Sequence, residues 1–176
     1  MTAAAPHPWE LAFLDRAARL AARFHGHVEP NPCVGCVIAS PDRRMLAIAA
    51  HRRFGGPHAE TLALAAAGPA ARGATALVTL EPCDHQGKQP PCTRALIDAG
   101  VARVVFAVAD PNPAAAGGCD RLRAAGIEVV HAAGHAASDR LAAPFVHRVR
   151  TGRPWVIAKW AQTLDGRIAT RTGHSQ

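Results

Sequence analysis

The sequence has no tyrosine, only 5% aromatic residues, and only two lysines, Lys88 and Lys159, among 20 basic side chains. Poverty in aromatics argues against a surface that stacks single-stranded bases, because aromatic rings are the usual platform for them. Arg, Asp or Gly interrupts every apolar run before the roughly 18 residues that a membrane span needs. Residues 1–8 lack a basic start followed by an apolar stretch, so no secretory signal is expected. The cysteines, Cys33, Cys36, Cys83, Cys92 and Cys119, are odd in number. Without a secretory pattern they are expected to be thiols or metal ligands in a reducing cytoplasm rather than disulfides. No internal repeat is visible, and the composition excludes a disordered, collagen-like or disulfide-dense chain.

The chain does have 176 residues, 49% of them apolar and 40 of them alanine, enough for a domain with a proper core. Its formal charge of +7 invites a nucleic-acid or phosphate partner. The excess is uneven. Residues 1–139 hold 13 basic and 12 acidic side chains, a net of +1, whereas residues 140–176 hold seven and one, a net of +6. The charge therefore belongs mainly to the C-terminal stretch and says little about substrate.

Residues 9–24 (WELAFLDRAARLAARF) repeat apolar side chains at helical spacing, with Glu10 early and Arg19 and Arg23 late, which suits the helix dipole. After the break VEPNP, residues 33–39 and 45–50 read as strands joined through the turn PDRR, a hairpin. Helices follow over 58–67, 92–99, 114–125 and 135–150, and strands over 75–80, 101–108 and 127–130, with a strand-like segment at 155–160. Strands alternating with helices predict an α/β sandwich with a hairpin at its start. A boundary is placed near Thr151-Gly152-Arg153-Pro154.

The chemistry is concentrated in His58-Ala59-Glu60, Pro82-Cys83 and Cys92. One imidazole and two thiolates make a three-ligand zinc set that leaves a fourth position for water. Each segment sits where a strand or loop enters a helix, and the free N–H groups at a helix start favour a thiolate. Glu60, not itself a ligand, is the group to take the water's proton and return it to a ring nitrogen and then to departing ammonia. This H-x-E…P-C arrangement is that of zinc nucleobase deaminases. A closed structural zinc site would want a fourth protein ligand and would give Glu60 no task. Cys33-Val34-Gly35-Cys36 is a weaker candidate, since strand residues three apart face opposite ways; two small core residues are the simpler reading. Cys119 has no partner in sequence.

Eight residues, Asp84 to Pro91, separate the two cysteines, where most zinc nucleoside deaminases have two. The run TLEPCDHQGKQPPC resembles the deaminase domain of the bifunctional riboflavin-biosynthesis deaminase/reductases. So do Pro30-Asn31-Pro32 with Val34-Gly35, the segment His51-Arg52-Arg53 with Gly55 and Gly56, and Asp110-Pro111-Asn112-Pro113. The resemblance implies a cytidine-deaminase-like three-layer sandwich, a central mixed sheet of about five strands flanked by helices. It implies deamination of 2,5-diamino-6-(5-phosphoribosylamino)pyrimidin-4(3H)-one with one zinc per chain, held by His58, Cys83 and Cys92, and Glu60 as proton shuttle. Asn31 and His51 would contact the pyrimidine or its surroundings, and Lys88 the ribose phosphate. A compact ammonium suits a phosphate as a point charge, although a solvated surface lysine is the plain alternative. Asp110 and Asn112 would line the substrate site at the end of a strand; Asp-Pro-Asn-Pro is equally suited to be no more than a turn. Arg52 and Arg53 read as a solvated face. A cytoplasmic homo-oligomer without nucleic-acid or membrane partners is expected.

Three departures from the family pattern stand out. Gly117-Gly118-Cys119 follows Pro113 one residue early, and Leu46 to Ala50 replaces a glycine-bearing segment. Residues 159–170 (KWAQTLDGRIAT) resemble the opening of the family's reductase domain, whose remainder does not follow. Residues 1–150 are thus expected to be a deaminase domain and 151–176 a linker with a truncated reductase start, without an NADPH site. A separate reductase is then a possible partner. The rival readings are a deaminase of nucleic acid or of free nucleosides and bases, and a catalytically silent zinc protein. The eight-residue spacer and missing tyrosine oppose the first, and an intact Glu60 opposes the second.

Overall fold

A computed structural model describes residues 5–113 and 117–174. Five helices are placed in chain order: α1 (Pro8–Ala21), α2 (Ala59–Ala67), α3 (Cys92–Ala99), α4 (Gly118–Ala124) and α5 (Ala136–Thr151). Five strands alternate with them: β1 (Gly35–Ala39), β2 (Met45–Ala50), β3 (Thr75–Leu80), β4 (Arg103–Val108) and β5 (Glu128–His131). They form one sheet in the order β2-β1-β3-β4-β5. β1 runs antiparallel to both β2 and β3, and β3, β4 and β5 are mutually parallel. The expected mixed five-stranded α/β sandwich is the one observed.

Alternation along the strands sorts side chains to two faces. Cys36, Ile38, Ala76, Val78 and Val104 meet α2, α3 and α4 through Ala59, Ala63, Leu96 and Leu122. Val37, Ala39, Leu77, Val105 and Val130 meet α1 through Leu14 and Ala17 on the other face, where α5 also packs against α1. Alanine makes this close packing possible, and one glycine completes it. A Cβ at Gly35 would fall 2.2 Å from the Ala17 carbonyl oxygen, so α1 lies directly on the start of β1.

Glu10, fully buried, closes the N-terminus of α1 by accepting the His7 N–H at 2.7 Å. It also accepts Arg103 Nε at 2.8 Å, which ties α1 to β4. Parallel β3 and β4 end side by side, and Glu81 N–H donates to the Val108 carbonyl at 2.8 Å. The loops after these strands therefore emerge together, over the N-termini of α2 and α3.

Several boundaries differ from expectation. β4 begins at Arg103 because the Val101 N–H closes α3 by bonding to Leu96 and the Ala102 N–H bonds to Ala74. Cys33 and Val34 precede β1. α4 begins at Gly118; the helix expected from Ala114 includes Ala114–Ala116, which lie outside the described residues. Residues 155–160 pair with no strand, and Trp155, Val156, Ile157 and Trp160 are all exposed.

Candidate metal centre and active site

His58 is the N-cap of α2, in extended conformation (φ −73°, ψ 160°), which turns its ring past the helix end. Cys92 is the first residue of α3, whose N-cap is Pro91. Cys83 sits in the loop after β3, which is bound to α3 by the Thr93 N–H donating to the Cys83 carbonyl at 3.3 Å. Two helix N-termini, each with free N–H groups and positive dipole ends, thus converge on one point. One donor atom each from His58, Cys83 and Cys92 lies within 4.8 Å of the other two. Nδ1 of His58 is 3.1 Å from Cys92 Sγ and 3.6 Å from Cys83 Sγ. Zinc bond lengths in a tetrahedron place nitrogen and sulfur donors about 3.6 Å apart, so this donor set fits the ion in both chemistry and spacing.

The electrostatics agree. A hydrogen bond from the Cys92 thiol and another from His58 hold Cys83 as a thiolate, its pKa lowered to about 4. The Cys83 sulfur in turn pushes the Cys92 thiol upward, so the two share one proton. His58 is raised by its bond to Cys83; although Cys92 is the closer sulfur, Cys83 carries the charge. A cation placed among the three would displace that proton and be met by two thiolates. Glu60, the second residue of α2 and 3% exposed, is raised mainly by its burial. A buried carboxyl that exchanges a proton easily is what a proton shuttle requires.

A cavity of about 210 Å³ opens over these residues. His58, Glu60 and Cys83 line its floor, with Asn31, His51, Asp110 and Asn112 around them. His51 Nδ1 is 3.0 Å from the Pro57 carbonyl, and its Nε2 is 3.4 Å from the Asn31 amide nitrogen. The ring therefore donates to Pro57 and accepts from Asn31, and burial, by lowering its pKa, keeps it neutral. Asp110 combines both readings of its motif. Its carboxylate accepts the Asn112 N–H at 2.8 Å, a turn, and the turn itself faces the cavity.

Lys88 lies outside this cavity, in an adjoining one of about 160 Å³ that shares Asn31, His58 and His85 with it. Its Nζ stands 4.0 Å from the centre of the Phe54 ring, a cation–π contact that holds the exposed lysine over the opening. Arg52 and Arg53 are exposed and line neither cavity. Besides the apolar Leu80, four lining residues were not singled out from sequence: Glu81, His85, Phe145 and Arg148. The first two lie within or beside the motif run and could have been inferred there. Phe145 and Arg148 come from α5, where no local pattern signals them. Cys36 and Cys33 belong to different core clusters, so the CxxC pair forms no common site.

Residues 7–108 match the family described as the cytidine and deoxycytidylate deaminase zinc-binding region. Riboflavin biosynthesis protein RibD of Escherichia coli K12 is 49% identical over 165 residues, 93% of this chain and 45% of that protein. Among solved structures, a diaminohydroxyphosphoribosylaminopyrimidine deaminase/5-amino-6-(5-phosphoribosylamino)uracil reductase from Thermotoga maritima superposes with a TM-score of 0.87 at 42% identity. It is covered over 96% of this chain and 49% of its own. Acinetobacter baumannii RibD gives 0.84 at 44% identity, over 96% and 47%. The chain spans about half the length of each of these relatives.

Proposed function

Since the chain belongs to the cytidine and deoxycytidylate deaminase zinc-binding family, we propose that it hydrolyses the exocyclic amine of 2,5-diamino-6-(5-phosphoribosylamino)pyrimidin-4(3H)-one in riboflavin synthesis. The observation that carries this reading is the convergence of His58, Cys83 and Cys92 within 4.8 Å beside the buried Glu60. The substrate assignment rests on the names of the long relatives and on the second cavity holding Lys88.

His58, Cys83 and Cys92 would hold one zinc ion per chain. Zinc, when bound, supplies the Lewis acidity that brings the pKa of a water to about 7. Glu60 would accept a proton from the attacking water, pass it to the ring nitrogen, and then deliver a second proton to the departing amine. A C–O bond forms, the C–N bond breaks, and ammonia leaves. His51 and the Asn31 amide, fixed by their mutual contact, orient the pyrimidine edge. Asp110 and Asn112 line the same cavity. The ring would occupy the first cavity, and the ribose phosphate would reach Lys88 in the second, away from Glu60, Glu81 and Asp110.

We assign residues 1–150 to the deaminase unit and 151–176 to a linker with the opening of a reductase-like unit. No NADPH site is expected within these 176 residues. A cytoplasmic homo-oligomer, working with a reductase, completes the proposal. The test is ammonia release by zinc-loaded protein from the diaminopyrimidine ribotide, from cytidine and from an RNA hairpin. Turnover of the ribotide alone, lost in Glu60→Gln with zinc retained, is the expected result. Activity on the hairpin alone would overturn the substrate assignment, and no turnover despite bound zinc would favour a silent zinc protein.

A further inference from the structure

We propose that His25, Glu29 and Cys33 form a second metal site, separate from the His58 centre, for a divalent cation of the zinc class. The Nδ1 of His25 is 3.4 Å from Cys33 Sγ and 3.6 Å from Glu29 Oε1. All three donor atoms lie within 4.8 Å of one another, the same closeness as in the His58 group. Their spacing of four suggests a helix, but the segment is not helical. The chain leaves a short 3-10 turn (Ala22–Phe24) at His25 and reverses through Gly26, whose φ of +85° favours glycine.

The loop is already fixed without an ion. The His27 N–H donates to Phe24, the Asn31 N–H to Val28 and the Phe54 N–H to His27, while Val28 is fully buried. Little ordering is therefore left to oppose binding. An imidazole, a carboxylate and a thiol that becomes thiolate select a borderline-soft ion over calcium or magnesium, which take oxygen donors. Three protein donors leave an exchangeable position. His25 and Glu29 are exposed, and the groove alongside, about 600 Å³ and lined also by Arg140 and Trp155, gives an ion access. A plain His25–Glu29 ion pair explains two of the three residues; it leaves unexplained why the buried Cys33 sulfur faces the same ring nitrogen.

The test is a titration of the metal-stripped chain with Co²⁺, read by thiolate-to-cobalt absorption, and with Zn²⁺ against a chromophoric chelator. The wild type should take two equivalents, and His25→Ala and Cys33→Ser one each. Because His25 is exposed, its variant keeps the fold, and it decides the matter even if Cys33→Ser folds poorly. A His25→Ala variant that still takes two equivalents, or a wild type that takes a single equivalent and keeps it in His25→Ala, overturns the proposal. A single equivalent lost in His25→Ala and kept in Cys92→Ser upholds this site while removing the His58 centre, so the two readings fail separately.

Discussion

Replacing Gly118 by alanine tests how the fold aims Cys83. Gly118 is buried at the first position of α4, and a Cβ there would lie 2.1 Å from the Pro82 carbonyl oxygen and 3.2 Å from Thr93 Cγ2. Ordinary contact begins near 3.4 Å, so helix and loop must separate by about an ångström. Neither side yields easily. Pro82 is buried and leads directly into Cys83, whose carbonyl is held by the Thr93 N–H, and α4 is anchored by Leu122 in the core. Overpacking of this kind costs about 1–3 kcal/mol, which lowers the Tm of a chain this long by roughly 2–12 °C. The larger consequence is geometric. A shift of about 1 Å in a catalytic group costs on the order of a hundredfold in rate, so ammonia release should fall that far in Gly118→Ala. Gly35→Ala is the control: its Cβ would fall 2.2 Å from the Ala17 carbonyl, an equal clash on the α1 face. It should lose similar stability while the folded protein loses less turnover than Gly118→Ala, because the clash lies on the α1 face and no metal donor adjoins it. Turnover and Tm measured on both variants decide the matter; an unchanged Gly118→Ala refutes the reasoning.

Four further outcomes are expected. Stripping the protein with a chelator should abolish ammonia release and lower Tm, with both restored by zinc, because an ion bound only by the native state stabilises it by about 2.7 kcal/mol at a hundred times Kd. Lys88→Met should raise KM for the phosphorylated substrate about tenfold, as expected for a lost charge-assisted hydrogen bond, and leave a dephosphorylated analogue unaffected; equal effects on both would exclude a phosphate contact. Arg103→Met should cost about 3–5 kcal/mol in urea unfolding, because it strands the fully buried Glu10 carboxylate. Arg123→Met, whose partner Asp120 is exposed, should change stability by less than about 1 kcal/mol.

The sequence was most legible where local chemistry is enough. Unbroken apolar runs marked β1 and β3 as strands, and both are buried along their whole length; the candidate metal donors stood out because their residue types and helix-start positions suit one task. It failed where a partner decides the outcome. Trp155-Val156-Ile157 has every β-forming residue type, yet β-propensity is largely packing against neighbours, and these side chains have no sheet to pack on. Val101 looks like β4 but is spent on closing α3. Phe145 and Arg148 reach the cavity from a helix far along the chain, so only the packing of α5 reveals them. Cys33 read as a small core residue; its neighbours His25 and Glu29 become visible as donors only when the loop is seen to fold back.

Arg148 also alters the meaning of the basic excess. By sequence, the charge of residues 140–176 stood apart from the chemistry. In the structure Arg148 donates to the Pro30 carbonyl at 3.2 Å and lines the cavity that Glu60, Glu81 and Asp110 also line. One of the seven basic residues of that stretch therefore lies at the cavity and is bonded to the loop that carries Asn31. Residues 153–174 remain exposed almost throughout and contribute net charge without touching it. A high isoelectric point arising mostly from the end of α5 and the exposed segment after it is not by itself a nucleic-acid footprint, which requires the cations to be gathered on one face beside the site. Among the described residues, the arginine and the lysine that border the two candidate cavities, Arg148 and Lys88, come from separate elements. That arrangement suits one small anionic ligand better than a polyanion.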